Sequence, residues 1–220
     1  MTNHIADISL RKAATAAGFG LLVMTIMAIF ANFFVIESLI VPGDAVITAN
    51  NIMAHELLFR FAICSFIIVI ILDVIVAWAL YIFLKPVHRS LSLLTAWFRI
   101  VYATIFGVSL FNLVTVLGLL HSSDYAQIMI SLNAFNDGWN IGLVFFGIHL
   151  GLLGYLVLKS NYIPKFLSVL LVIAGLGYLM DSFGKILIPD YNATIAMFTF
   201  IGELLLMLWL LIKGGKIKLD

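Results

Sequence analysis

Six residues in this chain set ionisable chemistry inside or at the edge of apolar runs: Arg60, Asp73, Arg99, His149, Asp181 and Glu203. A charge carried into hydrocarbon is expensive unless it is paired, hydrated or neutralised, so these exceptions are where any chemistry is to be sought. A carboxylate in such a setting can take up or release a proton, an imidazole can pass one on, and a guanidinium can hold an anion or pin a carboxylate.

Depth decides which of them can meet. With a rise of about 1.5 Å per residue and alternating helix directions, Asp73 and Arg99 fall at one level. Mutual neutralisation is the simplest outcome, a structural pair that removes both desolvation problems. The alternative is a proton or substrate site in which Asp73 changes protonation. His149 and Glu203 fall near the middle of their own runs. An imidazole and a carboxylate at one level could relay a proton or, with Asp73 as a third ligand, hold a metal ion. Two ligands alone fall short of the usual three or four. His4, His55, His88 and His121 sit near or beyond the membrane edges, so His149 has no axial partner for haem. No cofactor is firmly implied.

Nearer one end, Tyr178, Asp181 and Lys185 share a helix face through steps of three and four residues. Asp181 precedes Lys185 in the favourable acid-first order, and Glu56 and Arg60 form a second such pair beside His55. These groups either cap helix ends or, with Asp137, line a polar vestibule that Asn133, Asn136 and Asn140 would enrich. Gly147 and Gly151, with Gly154 beyond, allow close approach of a second helix. That second helix could belong to this chain or to another copy. His149 lies about 200° around the helix from Gly147 and Gly151, so it points away from that seam, among Phe145, Phe146, Leu152 and Leu153.

The elements that must position these groups follow from composition. The chain is 64% hydrophobic and 10% charged, whereas soluble domains are roughly a quarter charged. Apolar stretches run near Ala13 to Val41, Leu57 to Leu84, Leu91 to Leu120, Gly138 to Leu158, Phe166 to Leu187 and Ile195 to Ile212. Each is close to or above the roughly 20 residues that cross a bilayer. The prediction is an all-α fold, one transmembrane bundle of six helices over residues 1–220. Pro42-Gly43-Asp44, Lys85-Pro86, Asn161 to Pro164 and Pro189-Asp190 mark its turns.

Arg11, Lys12, Lys85, Arg89, Lys159, Lys165, Lys213, Lys216 and Lys218 then collect at one end, and Asp44, Glu56, Asp124, Asp137 and Asp190 at the other. That bias places both termini in the cytoplasm, with Lys185 snorkelling to the opposite interface. The first run is too long for a cleaved signal peptide. A net charge of +1 with scattered cations excludes a nucleic-acid partner. Cys64, the one cysteine, excludes an intramolecular disulfide and is expected as a small buried hydrophobe. Nucleophile elbow, His-Glu-x-x-His and phosphate-binding glycine loop are all missing.

Particular strings carry a resemblance: Leu39-Ile-Val-Pro-Gly-Asp44, Leu58-Phe-Arg60, Trp97-Phe-Arg99, Gly142-Leu-Val-Phe-Phe-Gly-Ile-His149 and Gly175-Leu-Gly-Tyr-Leu-Met-Asp-Ser-Phe183, with Glu203 ahead of a Trp-Leu-Leu-Ile-Lys-Gly end. Together the chain resembles a bacterial integral-membrane family known as domain of unknown function 4386. The resemblance implies a prokaryotic inner-membrane protein of six helices, with Arg60, Asp73, Arg99, His149, Asp181 and Glu203 at its polar positions. Relatives often carry a histidine shortly before the fourth helix, where this chain has Asn136 and Asp137, which tells against a two-histidine metal site.

Three functions fit these residues. The leading expectation is binding or transport of a small or lipid-like molecule through a polar cavity between helices two to six, with Asp73, His149 and Glu203 as protonatable groups. The second is a metal-assisted hydrolase acting on lipid, with His149, Glu203 and Asp73 as ligands. The third is a regulatory or structural membrane subunit in which every buried charge is a structural pair. Membrane lipid and a small-molecule ligand are the expected partners.

Overall fold

The structure, a computed structural model, describes residues 8–122 and 124–217; His4 and Lys218 lie outside them. Among the described residues six helices are long and apolar enough to cross a membrane: α1 (Leu10–Leu39), α3 (Glu56–Leu84), α4 (Arg89–Leu119), α5 (Tyr125–Lys159), α6 (Lys165–Leu187) and α7 (Ile195–Ile212). A shorter helix, α2 (Ala45–Ala54), follows the first. Hydrocarbon offers backbone groups no partner, so each crossing segment must satisfy its own N–H and C=O groups, and the helix does this locally.

The ends are set by side chains that accept from exposed backbone donors. Ser9 accepts from the Lys12 N–H, Asp44 from Ile47, His88 Nδ1 from Leu91 and Asp124 from Gln127. Pro164 stands at the entrance of α6, where a missing N–H costs nothing. The turn after α1 needs a left-handed residue, which Gly43 supplies at φ 81°. Within α1, Phe30–Ile36 widens into a π-helical segment, and Asn32 Nδ2 donates to Glu37 Oε1 at 2.7 Å across it.

Two boundaries differ from the sequence reading. Helix α5 begins at Tyr125 rather than near Gly138. Its first turns expose Asn133, Asn136 and Asp137 beside Ile130, while Ile128, Leu132 and Phe135 recur at helical spacing on a buried face. Helix α2, expected as part of a loop, packs against this extension and buries Thr48, Ala49 and Ile52. Cys64 is also corrected: it is exposed on the outward face of α3.

Each long helix packs on the next in the chain, and α7 returns to α1, so the six close into a ring. Small residues allow the tightest approaches. A Cβ on Gly175 would come within 2.6 Å of the Gly147 carbonyl, and one on Gly18 within 3.0 Å of the Leu211 backbone nitrogen. The glycine seam therefore joins α5 to α6 within one chain. Gly175→Ala is expected to cost about 1–3 kcal/mol, because the methyl meets backbone that cannot rotate away. Thermal unfolding in detergent micelles checks this, with Gly118→Ala, where a Cβ finds open space, as the control that should not move.

Inside the ring, Phe66 meets Phe106, Phe135 and Trp139 at centroid distances of 5.3 to 5.8 Å. At the end where Lys and Arg collect, the Tyr162 hydroxyl donates to the Phe83 carbonyl at 2.7 Å, tying the α5–α6 connection to α3. Burial pushes the Tyr162 phenol up to about 12, so this donor persists across the physiological pH range.

Candidate functional site

Arg99 is the hub of the interior. It lies on the buried face of α4, in helical register with Thr95, Tyr102, Ala103 and Phe106. Its Nη2 is 2.8 Å from Asp73 Oδ1 on α3, both side chains being almost wholly enclosed. The contact is an ion pair at hydrogen-bonding distance. Nη2 also lies 3.8 Å from Met24 Sδ on α1, Nη1 is 3.3 Å from His149 Nε2 on α5, and the guanidinium carbon sits 5.4 Å from the Phe146 ring centroid.

Asp73 occupies the same buried face of α3 as Val69, Val76 and Leu80, which fixes its direction toward α4. His149 is fully buried, and its tautomer follows from its partners. Nδ1 lies 2.8 Å from the Thr95 carbonyl, which can only accept, so Nδ1 carries the proton and donates. Nε2 is then free to accept from the guanidinium, which can only donate. The ring is a neutral strut between α4 backbone and Arg99.

The remaining two long helices complete the set. Tyr178 on α6 stacks edge-on to Phe146 at 5.4 Å, and its hydroxyl lies within interacting range of Glu203 on α7. Glu203 also feels the charge of Arg99. Every one of the six long helices thus places a side chain in a single knot: Met24, Asp73, Arg99, His149, Tyr178 and Glu203. Three of its buried atoms have no hydrogen-bond partner: Asp73 Oδ2, Arg99 Nε and Glu203 Oε1.

The pairing of Asp73 with Arg99 at one depth is present as the sequence implied. The metal triad is not assembled. Both ring nitrogens of His149 are engaged, and among the described residues no three His, Cys, Asp or Glu side chains converge as a ligand set. The vestibule is not assembled either. Arg60 is exposed and pairs with Glu56 at 2.6 Å, while Asp137 and Lys185 are exposed without an ion pair among the described residues. Asp181 turns away from Lys185: its carboxylate accepts from the Tyr191 hydroxyl at 2.9 Å and the Ala196 N–H at 2.7 Å. It is the latch of the α6–α7 connection and the N-terminal anchor of α7.

Sequence reasoning missed Met24, the Thr95 carbonyl and Tyr102, whose ring lies 4.8 Å from that of Phe146. Of these only Tyr102 left a signal, standing three residues after Arg99 on the same face. Two hollows lie at the basic end, one of about 500 Å³ lined by Tyr162, Trp209, Lys213 and Lys216 and one of about 560 Å³ lined by Arg11, Lys12 and Thr15. Neither opens onto the knot.

A protein of Archaeoglobus fulgidus, bearing the name "Uncharacterized protein", is 43% identical over 158 residues, which cover 72% of this chain and 86% of the relative. No solved structure matches the chain. The family model described as a domain of unknown function matches residues 16–214, a stretch that holds the whole knot from Met24 to Glu203, and the chain belongs to this family, DUF4386.

Proposed function

We propose that this multi-pass membrane protein binds a small polar or lipid-like molecule at the centre of the ring and moves it, with proton exchange at Asp73 and Glu203. One observation supports the reading above the others: charged groups at mid-depth keep open valences at Asp73 Oδ2, Arg99 Nε and Glu203 Oε1. A purely structural pair in hydrocarbon gains most by saturating every donor and acceptor, because each unpaired buried group costs about 1–3 kcal/mol. Open valences around a buried cation and two carboxylates suit an occupant that arrives and leaves. His149 serves here as a fixed acceptor that orients Arg99 rather than as a proton relay, since both its nitrogens are committed.

The site belongs in the cytoplasmic membrane of a prokaryote, with both chain ends on the cytoplasmic side. Lys and Arg gather at the end that holds the start of α1 and the end of α7, and that bias favours the cytoplasmic face. Native mass spectrometry of protein released from lipid nanodiscs tests the reading. The wild type is expected to carry a defined organic molecule, and Glu203→Gln, which keeps the shape and removes the charge, to lose it while remaining folded. A wild type that emerges empty would overturn it.

A further inference from the structure

The basic end of the bundle is shaped by how the last helix stops. Lys213 caps α7, its N–H donating to the Trp209 carbonyl at 2.8 Å, and the Lys216 N–H returns to the Lys213 carbonyl at 2.9 Å in a tight turn. Two contacts hold that turn against the first helix. A Cβ on Gly214 would come within 2.8 Å of Ala14 Cβ, so the missing side chain lets the backbone lie this close to α1. Beyond it, Arg11 Nε donates to the Ile217 carbonyl at 3.1 Å. Lys213 and Lys216 therefore stand on backbone that is tied down.

These two lysines line one hollow of about 500 Å³ with Asn161, Tyr162, Pro164 and Trp209, between the α5–α6 connection and the end of α7. Sites for small molecules run to roughly 300–1,000 Å³. Three other cations at this end are already engaged: Arg11 on the Ile217 carbonyl, Lys85 over the Tyr81 ring at 6.0 Å and Lys159 over the Tyr155 ring at 5.6 Å. The ammonium groups of Lys213 and Lys216 have no such partner among the described residues, and no Asp or Glu of the described residues lies at this end. Two like charges that face one space repel each other, and an anion seated between them removes that cost.

The lining selects the kind of anion. Trp209 and Lys213 are four residues apart on α7, so indole and ammonium share a face, the ring lying about 6 Å deeper along the bundle. Tyr162 offers only its ring, since its hydroxyl is spent on the Phe83 carbonyl, whereas Asn161 and the indole add neutral N–H donors. Phe166, Leu208 and Ile212, close in sequence to the lining residues of α6 and α7, are exposed and apolar. A soluble anion would use the cationic rim alone, whereas an amphipathic one uses the aromatic wall and the apolar flank as well. We infer that this hollow seats the headgroup of an anionic phospholipid, its phosphate between Lys213 and Lys216, its glycerol against Trp209 and its acyl chains along α6 and α7. The site is separate from the knot.

Native mass spectrometry of the detergent-solubilised protein, titrated with phosphatidylglycerol or with phosphatidylcholine of the same acyl chains, tests this. The wild type is expected to hold one phosphatidylglycerol in clear preference to phosphatidylcholine. Lys213→Gln combined with Lys216→Gln should weaken it about 25-fold, at about fivefold for each lysine beside an anionic headgroup. Lys85→Gln combined with Arg89→Gln removes the same charge at the same end from residues that do not line the hollow, and should leave the affinity close to that of the wild type. Equal losses in the two double variants, or a wild type without the preference, would overturn the site. Inorganic phosphate should displace the lipid no better than chloride at equal ionic strength; specific displacement would assign the hollow to a soluble anion and overturn the lipid. Glu203→Gln should retain the phosphatidylglycerol, which tells this site from any occupant of the knot, and its loss there would move the lipid to the knot and overturn the inference.

Discussion

Replacing Asp73 with Ala is expected to destabilise the protein by about 3–5 kcal/mol, because it leaves the Arg99 guanidinium buried without a counter-charge. Asp73 is fully enclosed and Arg99 is 2% exposed, so water cannot step in as the substitute partner. The revealing comparison is the double variant. Asp73→Ala with Arg99→Met removes both charges and fills the arginine's volume with an unbranched apolar chain, and it should recover most of the loss. Reversible unfolding in bicelles measures all three variants. If the two single losses simply add, Asp73 and Arg99 do not act as a unit and the knot has another organiser. The Glu56–Arg60 pair provides the internal contrast. It is close at 2.6 Å but open to solvent, so its removal should hardly register.

His149→Phe is expected to cost about 1–3 kcal/mol, since it strands a guanidinium donor at Nη1 and removes the second hydrogen bond to the Thr95 carbonyl, which keeps its helix partner. His149→Gln retains one donor and one acceptor on a flexible stem and should restore more than half of that loss. A merely space-filling histidine would give the reverse order, because Phe replaces the ring better than Gln does. The same bicelle measurement decides between them, and the outcome bears on mechanism: a strut can be replaced by an amide, whereas a proton carrier cannot.

Much of this architecture was legible beforehand because hydrocarbon suppresses the alternatives. A long apolar run has one way to satisfy its backbone, and a carboxylate and a guanidinium at one depth have one cheap partner each, which is why Asp73 and Arg99 could be paired on paper. The failures share a cause as well. Asp181 and Lys185 do share a helix face, but facing says nothing about what a loop brings closer, and Tyr191 and Ala196 arrive from the α6–α7 connection. The Thr95 contribution is a backbone carbonyl, which has no signature in residue type. Helix α2 was hidden because it is too short to cross a membrane and follows a Pro-Gly turn, and the first turns of α5 because Asn133, Asn136 and Asp137 interrupt the apolar run.

The order of helices around the ring carries a consequence for biosynthesis. Asp73 and Arg99 sit on consecutive segments joined by the tight turn at Lys85 to His88, where the Val87 and His88 N–H groups both return to the Leu84 carbonyl. A hairpin of α3 and α4 alone would already bring its two buried charges together, without any later helix. Glu203 arrives last, on a helix whose seat between α6 and α1, against Gly18, exists only after everything else is in place. The Asp73–Arg99 pair is therefore complete before the ring is closed, and α7, which brings Glu203, is the keystone whose docking turns an open arc into a ring.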